Sequence, residues 1–170
     1  ELKFMRCVRF EEQGRARIGF IDGDVIRAVY GSIDTYWRMT DEVFPLAGAK
    51  LLAPCVPKQI ICVGFNYRDH AREFHVDVPK EPALFTKAAH TVIGNDGKII
   101  YPRQSHEVVY EAELGVVIKK RMKDVAPEDV PDYILGYTCA NDVTARDLQL
   151  SDVQWLRSNC LLYTSDAADD

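Results

Sequence analysis

Three short strand-like runs, joined by tight turns, make a small antiparallel unit of the start of this chain. Arg6 to Phe10 alternates, Glu11-Glu12-Gln13-Gly14 supplies a turn, and Ala16 to Ile21 is a strand. Asp22-Gly23-Asp24 is a hairpin signal of the strongest short-range class, and Val25 to Tyr30 returns. Side chains two apart share a face on a strand but not on a helix, so this pattern excludes a helical start. Met5 opens the pattern, and Glu1 to Phe4 reads as lying upstream of it. Tyr36 to Pro45 is expected to be a short helix or loop, and Pro54 and Pro57 punctuate a linker. Residues 5–56 are therefore read as a small β-rich N-terminal domain.

A second unit, residues 58–158, begins at Lys58. Gln59 to Val63 is a compact apolar strand, and Asn66 to Phe74 has helical spacing through Tyr67 and Ala71. Pro79 and Pro82 break the chain before an extended stretch, Ala83 to Thr86. Asn95-Asp96-Gly97 makes a turn ahead of Ile99 to Tyr101, and Val108 to Ile118 is the longest strand candidate. Ala126 to Asp132 starts as a helix, with Pro127 suited to its first turn. Ile134 to Ala140 is a last strand, ending at Asn141-Asp142.

The chain has 170 residues, 47% of them hydrophobic, enough for a real core. Its formal net charge of -5 and the lack of a basic cluster interleaved with aromatics speak against nucleic acid as a partner. Carboxylates in excess can instead hold a cation. No apolar run approaches the roughly 20 residues of a membrane span. The charged N-terminus has no signal-peptide core, so a cytoplasmic protein is expected. The five cysteines are scattered without CxxC spacing, and Cys62 and Cys139, in apolar runs, read as buried thiols.

Several polar groups could carry chemistry. In Tyr110-Glu111-Ala112-Glu113-Leu114, strand geometry puts both carboxylates on one face and predicts that Tyr110, Ala112, Leu114 and Val116 face the core. Two like charges so placed repel unless a cation lies between them. A solvated strand face is the other reading. Asp142, at the end of an apolar strand, is placed to face a pocket or simply to make a turn. Three carboxylates without a soft ligand suit a hard ion: Mg²⁺ fits best, with Mn²⁺ and Ca²⁺ as further candidates. His70 and Glu73 lie three apart on a helical turn. A carboxylate on one imidazole nitrogen would make the other a base for water, unless the pair is only a surface salt bridge. Arg146 offers a fork and Gln149 an amide just after Asp142, or both belong to a capped helix start. Lys87 could hold an anionic substrate, although exposure is the default for lysine.

Taken in order, ICVGFNYRDHAREF, EPALFTK, YEAELGVVI and GYTCANDVTARDLQ resemble the fumarylacetoacetate hydrolase family, across roughly Lys58 to Ser158. Met5 to Val56 is similar to the small N-terminal domain that precedes it in many bacterial members. The resemblance implies an α+β, mainly β fold with a mixed, rolled catalytic sheet, in a homodimer of full-length chains. It implies Mg²⁺ or Mn²⁺ on Glu111, Glu113 and Asp142, a water-activating His70–Glu73 dyad, and Lys87, Arg146 and Gln149 near the substrate. The substrate class implied is a small oxo acid: acylpyruvates and related diketo acids are hydrolysed, oxaloacetate-like acids decarboxylated, 2-hydroxydienoates isomerised. In each, the ion would stabilise an enolate. A non-catalytic binding protein or inactive fragment on the same scaffold is the alternative.

The last stretch, Cys160 to Asp170 (CLLYTSDAADD), continues no earlier pattern and resembles one reading frame of a transposase-based sequencing adapter. On that reading residues 160–170 are a non-native tail, the gene runs on past Ser158, and Asn159 is a junction codon where the family pattern has lysine. The catalytic sheet would then be incomplete, with edges and apolar surface uncovered, and the polypeptide as written poorly folded and inactive. A natural acidic tail is the other reading.

Overall fold

The first three strand-like runs are the first three strands of the computed structural model, which describes residues 5–160. These are β1 (Cys7–Glu12), β2 (Arg15–Asp22) and β3 (Val25–Gly31). The β1–β2 register runs from Cys7 opposite Phe20 to Glu12 opposite Arg15. That leaves a two-residue loop, Gln13 and Gly14, both left-handed at φ 49° and 74°, as a hairpin turn of matching twist requires. Between β2 and β3 only Gly23 is left-handed, at φ 60°. The Glu1 to Phe4 reading and most of the tail reading lie outside the described residues.

β4 (Trp37–Pro45) corrects the expectation of a helix or loop. Its residues do not alternate cleanly, and pairing with the edge of β3 sets its state. The register shifts between Arg27 and Val29, where Thr40 Oγ1 donates to Ala28 O at 2.9 Å. β5 (Lys50–Leu52) pairs with β1 on the other edge, giving the order β4-β3-β2-β1-β5. Phe10, Ile26, Ala28 and Val29 form the core of this sheet, with Phe10 tilted against Phe44 at 5.3 Å between centroids. Burying a Phe or Ile side chain stabilises by about 1.5–3 kcal/mol, so this cluster holds the sheet together.

Beyond the linker come β6 (Ile60–Gly64), α1 (Arg68–Glu73) and β7 (Ala83–Lys87), with β6 and β7 antiparallel. The turn at 94–97 is closed by Gly97 N donating to Gly94 O at 3.2 Å, but no strand forms over Ile99 to Tyr101. The predicted long strand is broken into β8 (Val108–Val109) and β9 (Ala112–Ile118). β10 (Ile134–Asn141) pairs with β9, whereas β11 (Thr144–Ala145) pairs with β8, so the chain changes partner at Tyr110-Glu111. α2 (Arg146–Ser151) and α3 (Leu156–Cys160) follow. A 3-10 turn, Pro127–Tyr133, carries Pro127 in its first turn as expected.

Two sequence expectations are overturned on β9 and β10. Tyr110, Ala112, Leu114 and Val116 do not face a core: Tyr110, Leu114 and Val116 are 82%, 61% and 46% exposed, and Ala112 is exposed too. Period-two alternation tells which residues share a face, not which face another layer covers. For the same reason Cys139 is exposed, while Cys62 is half-buried.

The contacts gather into two compact units. Among the described residues one comprises 5–55, 93–97 and 113–140, and the other 56–92, 98–112 and 141–160. The fold is α+β and mainly strands. No helix of the described residues is long and apolar enough to cross a membrane.

Candidate active site

The partner change at Tyr110-Glu111 builds the centre of the site. Where the ladder breaks, Glu111 N donates to Asn141 Oδ1 at 3.0 Å, and Asp142 N donates to Glu111 O at 2.9 Å. These bonds satisfy backbone groups that a broken ladder would orphan, and they bring Glu111 and Asp142 together. Glu113 follows two residues after Glu111. Glu111, Glu113 and Asp142 offer ligand oxygens that all lie within 4.8 Å of one another. Two unit charges at that spacing repel by about 3.5 kcal/mol at an effective dielectric near 20, so the cluster needs compensation.

Compensation comes from two residues the sequence placed near a substrate. Lys87 Nζ pairs with Asp142 and also donates to Val143 O at 3.1 Å, with side-chain exposures of 8% for Lys87 and 5% for Asp142. The default of an exposed lysine does not apply here. Alternation along β7 turns Ala83, Phe85 and Lys87 to its less exposed face. Arg146 pairs with Glu111 and donates to Gln149 Oε1. Lys87 and Arg146 thus each neutralise one carboxylate of the cluster.

The donors fit a hard divalent ion. All three ligands are carboxylate oxygens. Hard divalent ions take such oxygen ligands, and the three groups converge on one place.

His70 and Glu73 lie on α1, as the spacing predicts, with Nδ1 and Oε2 3.5 Å apart. Phe74 links this pair to the carboxylates: its ring centroid is 5.0 Å from that of His70, and the Arg146 guanidinium sits 4.9 Å from it on the ring face. Seven of the eight predicted residues thus lie in one unit, and Glu113 follows along the chain from Glu111.

Three supporting residues escaped the sequence reading. Asn141 uses its side chain as a substitute ladder partner for Glu111, and its place beside Asp142 was the available signal. Asp147 accepts from Ser105 Oγ at 2.6 Å and from His106 N at 2.8 Å, fixing α2 one residue after Arg146. The Ser105 hydroxyl first, and then the His106 amide, hold its carboxyl below the usual range. Phe74 carried no signal beyond its place at the end of a helix.

Comparison with known proteins agrees with this architecture. A family profile described as fumarylacetoacetate (FAA) hydrolase C-terminal matches residues 59–165, and one described as Rv2993c-like, N-terminal, matches residues 5–54. The first match runs into the segment read above as a tail. The chain is 54% identical over 114 residues to an uncharacterised protein of Archaeoglobus fulgidus, covering 67% of this chain and 46% of that one. It is 49% identical over 109 residues to a mitochondrial oxaloacetate tautomerase of Xenopus laevis, covering 62% and 34%. The crystal structure of a 2-hydroxyhepta-2,4-diene-1,7-dioate isomerase from Mycobacterium marinum superposes with a TM-score of 0.81 at 32% identity, covering 92% of this chain and 62% of that one. The chain spans less than half the length of these two curated relatives. With the profile match covering well over half of its residues, the chain belongs to the fumarylacetoacetate hydrolase family.

Proposed function

We propose that the chain carries the catalytic groups of a divalent-metal-dependent enzyme acting on small 2-oxo, diketo or 2-hydroxydienoate acids, with Mg²⁺ or Mn²⁺ as the ion. One observation carries this reading: a carboxylate triad compensated by Lys87 and Arg146 stands beside a His–Glu pair. Binding alone would need no general base, which argues against a non-catalytic role.

An ion on Glu111, Glu113 and Asp142 would supply electrophilic stabilisation to negative charge developing on the substrate's oxygens. Arg146 and Lys87, which pair with Glu111 and Asp142, would be the cations to engage the substrate's carboxylate were those two acids to serve as ligands. The Arg146 fork, steadied by Gln149, suits a bidentate grip. Glu73 lies 3.5 Å from Nδ1 of His70, and the other ring nitrogen is the one to accept a proton from water or from carbon. If only a proton moves, the outcome is isomerisation or tautomerisation. If His70 activates water against a carbonyl, a C–C bond is hydrolysed. If the substrate carries a carboxylate at the breaking carbon, carbon dioxide is lost. The likeness to proteins named as an isomerase and an oxaloacetate tautomerase favours the proton-moving outcome.

The test is the enol absorbance of oxaloacetate and of an acylpyruvate, followed with the full-length protein, with and without Mg²⁺. The reading predicts Mg²⁺-dependent loss of absorbance that Glu111→Ala abolishes. Release of pyruvate marks cleavage or decarboxylation, and its absence marks tautomerisation. Activity that survives Glu111→Ala overturns the metal assignment.

A further inference from the structure

Phe65, just after β6, has φ 53°. A bulky residue rarely occupies the left-handed region, and such a conformation persists only where the surroundings over-determine it. Here three rings surround it. The His70 imidazole lies 5.8 Å away and nearly parallel, at 26°. Phe74 meets Phe65 edge-on at 5.7 Å and Trp155 does so at 6.0 Å. Trp155 packs in turn on Phe85 at 5.4 Å.

The residue before Phe65 permits this arrangement. A Cβ on Gly64 would sit 2.7 Å from Trp155 Cζ3 and 3.2 Å from Cη2, too close for the indole to stay. Glycine at 64 therefore lets Trp155 reach Phe65, and the strained backbone at 65 turns the phenyl ring onto His70. All of these residues belong to one compact unit.

His70 needs such a restraint. Its partner Glu73 is 72% exposed and 3.5 Å away, and an ion pair so exposed holds a side chain only weakly. We propose that Phe65 is a positioning residue that fixes the plane of the His70 imidazole by stacking, with Trp155 as its buttress. The functional part of this proposal rests on His70 being the base assigned above; the orientational part does not.

The test uses the full chain and two readouts. The His70 ring-proton resonances are assigned by their loss in His70→Gln, and turnover is measured in parallel. Phe65→Leu is expected to shift those resonances as the ring current of Phe65 is lost. It should lower kcat by about tenfold or more, within the ~10²–10⁴-fold that a positioned base contributes, and leave KM unchanged. Phe65→Tyr, which keeps the ring, should restore both. Gly64→Ala, which displaces Trp155 and leaves Phe65 in place, should shift the same resonances. Phe65→Gly should resist urea better than Phe65→Ala, because glycine tolerates the positive φ. Unmoved His70 resonances in Phe65→Leu or in Gly64→Ala overturn the proposal, as does unchanged kcat in Phe65→Leu. If His70→Gln itself turns over normally, the assignment of the base fails instead, while the resonance shifts still decide the stacking.

Discussion

Replacing Lys87 with Met probes the centre of the site with a calculable effect. Lys87 and Asp142 are 8% and 5% exposed in their side chains, so the substitution strands a carboxylate where water cannot solvate it. Removing one partner of a buried pair costs about 3–5 kcal/mol, most of it the uncompensated charge. At a urea slope of about 2 kcal/mol/M, the midpoint should fall by roughly 1.5–2.5 M. The loss should shrink in the double variant Lys87→Met/Asp142→Asn, which removes both charges, and in Mg²⁺, which would take over the compensation of Asp142. Urea titrations followed by fluorescence in a Trp37→Phe background suit this, because Trp155 lies in the same unit as the pair. A midpoint unchanged in Lys87→Met, or an equal loss in single and double variants, would refute the reasoning that the buried Lys87–Asp142 pair stabilises the fold.

Other predictions follow from the same geometry. Asp147 has a carboxyl depressed by Ser105 and His106, so it contributes stability above its unfolded value of about 3.9 and loses it as the pH falls through the lower folded value. The difference in Tm between the parent and Asp147→Asn should therefore be level near neutrality and shrink in acid. Phe10→Ala empties the middle of the five-stranded sheet, where Phe10 is 1% exposed, and should cost about 3–5 kcal/mol in thermal melts followed by Trp37 fluorescence. Arg146→Lys keeps the charge but loses the fork that reaches both Glu111 and Gln149, so KM for an oxo-acid substrate should rise in steady-state assays.

The sequence was most readable where structure is local. The turns at Gln13-Gly14 and Gly23-Asp24 depend on their own residues, and they set the registers of β1 to β3. β4 was misread because Trp37 to Pro45 takes its conformation from the edge of β3, a partner outside its own window. The break at Tyr110-Glu111 was hidden for a similar reason: the strand-like pattern is continuous, but its two halves pair with different strands. Alternation correctly put Glu111 and Glu113 together, yet it assigned the opposite face to a core that does not cover it. At the site, residue types and spacing left the acids, the imidazole and the cations each with a bland reading beside the functional one, and the order of the motifs made them candidates. What they could not reveal is the pairing of Lys87 with Asp142 and Arg146 with Glu111, across 55 and 35 residues of chain, because contacts that long depend on the finished fold.

The central claim is that Glu111, Glu113 and Asp142 hold a divalent cation. Titration with Mn²⁺, reading the free ion by electron paramagnetic resonance, tests it without reference to any substrate. One ion per chain in the parent, displaced by Mg²⁺ and lost in Glu111→Gln, is the result this account predicts. Binding of the same stoichiometry and affinity in parent and Glu111→Gln would contradict it.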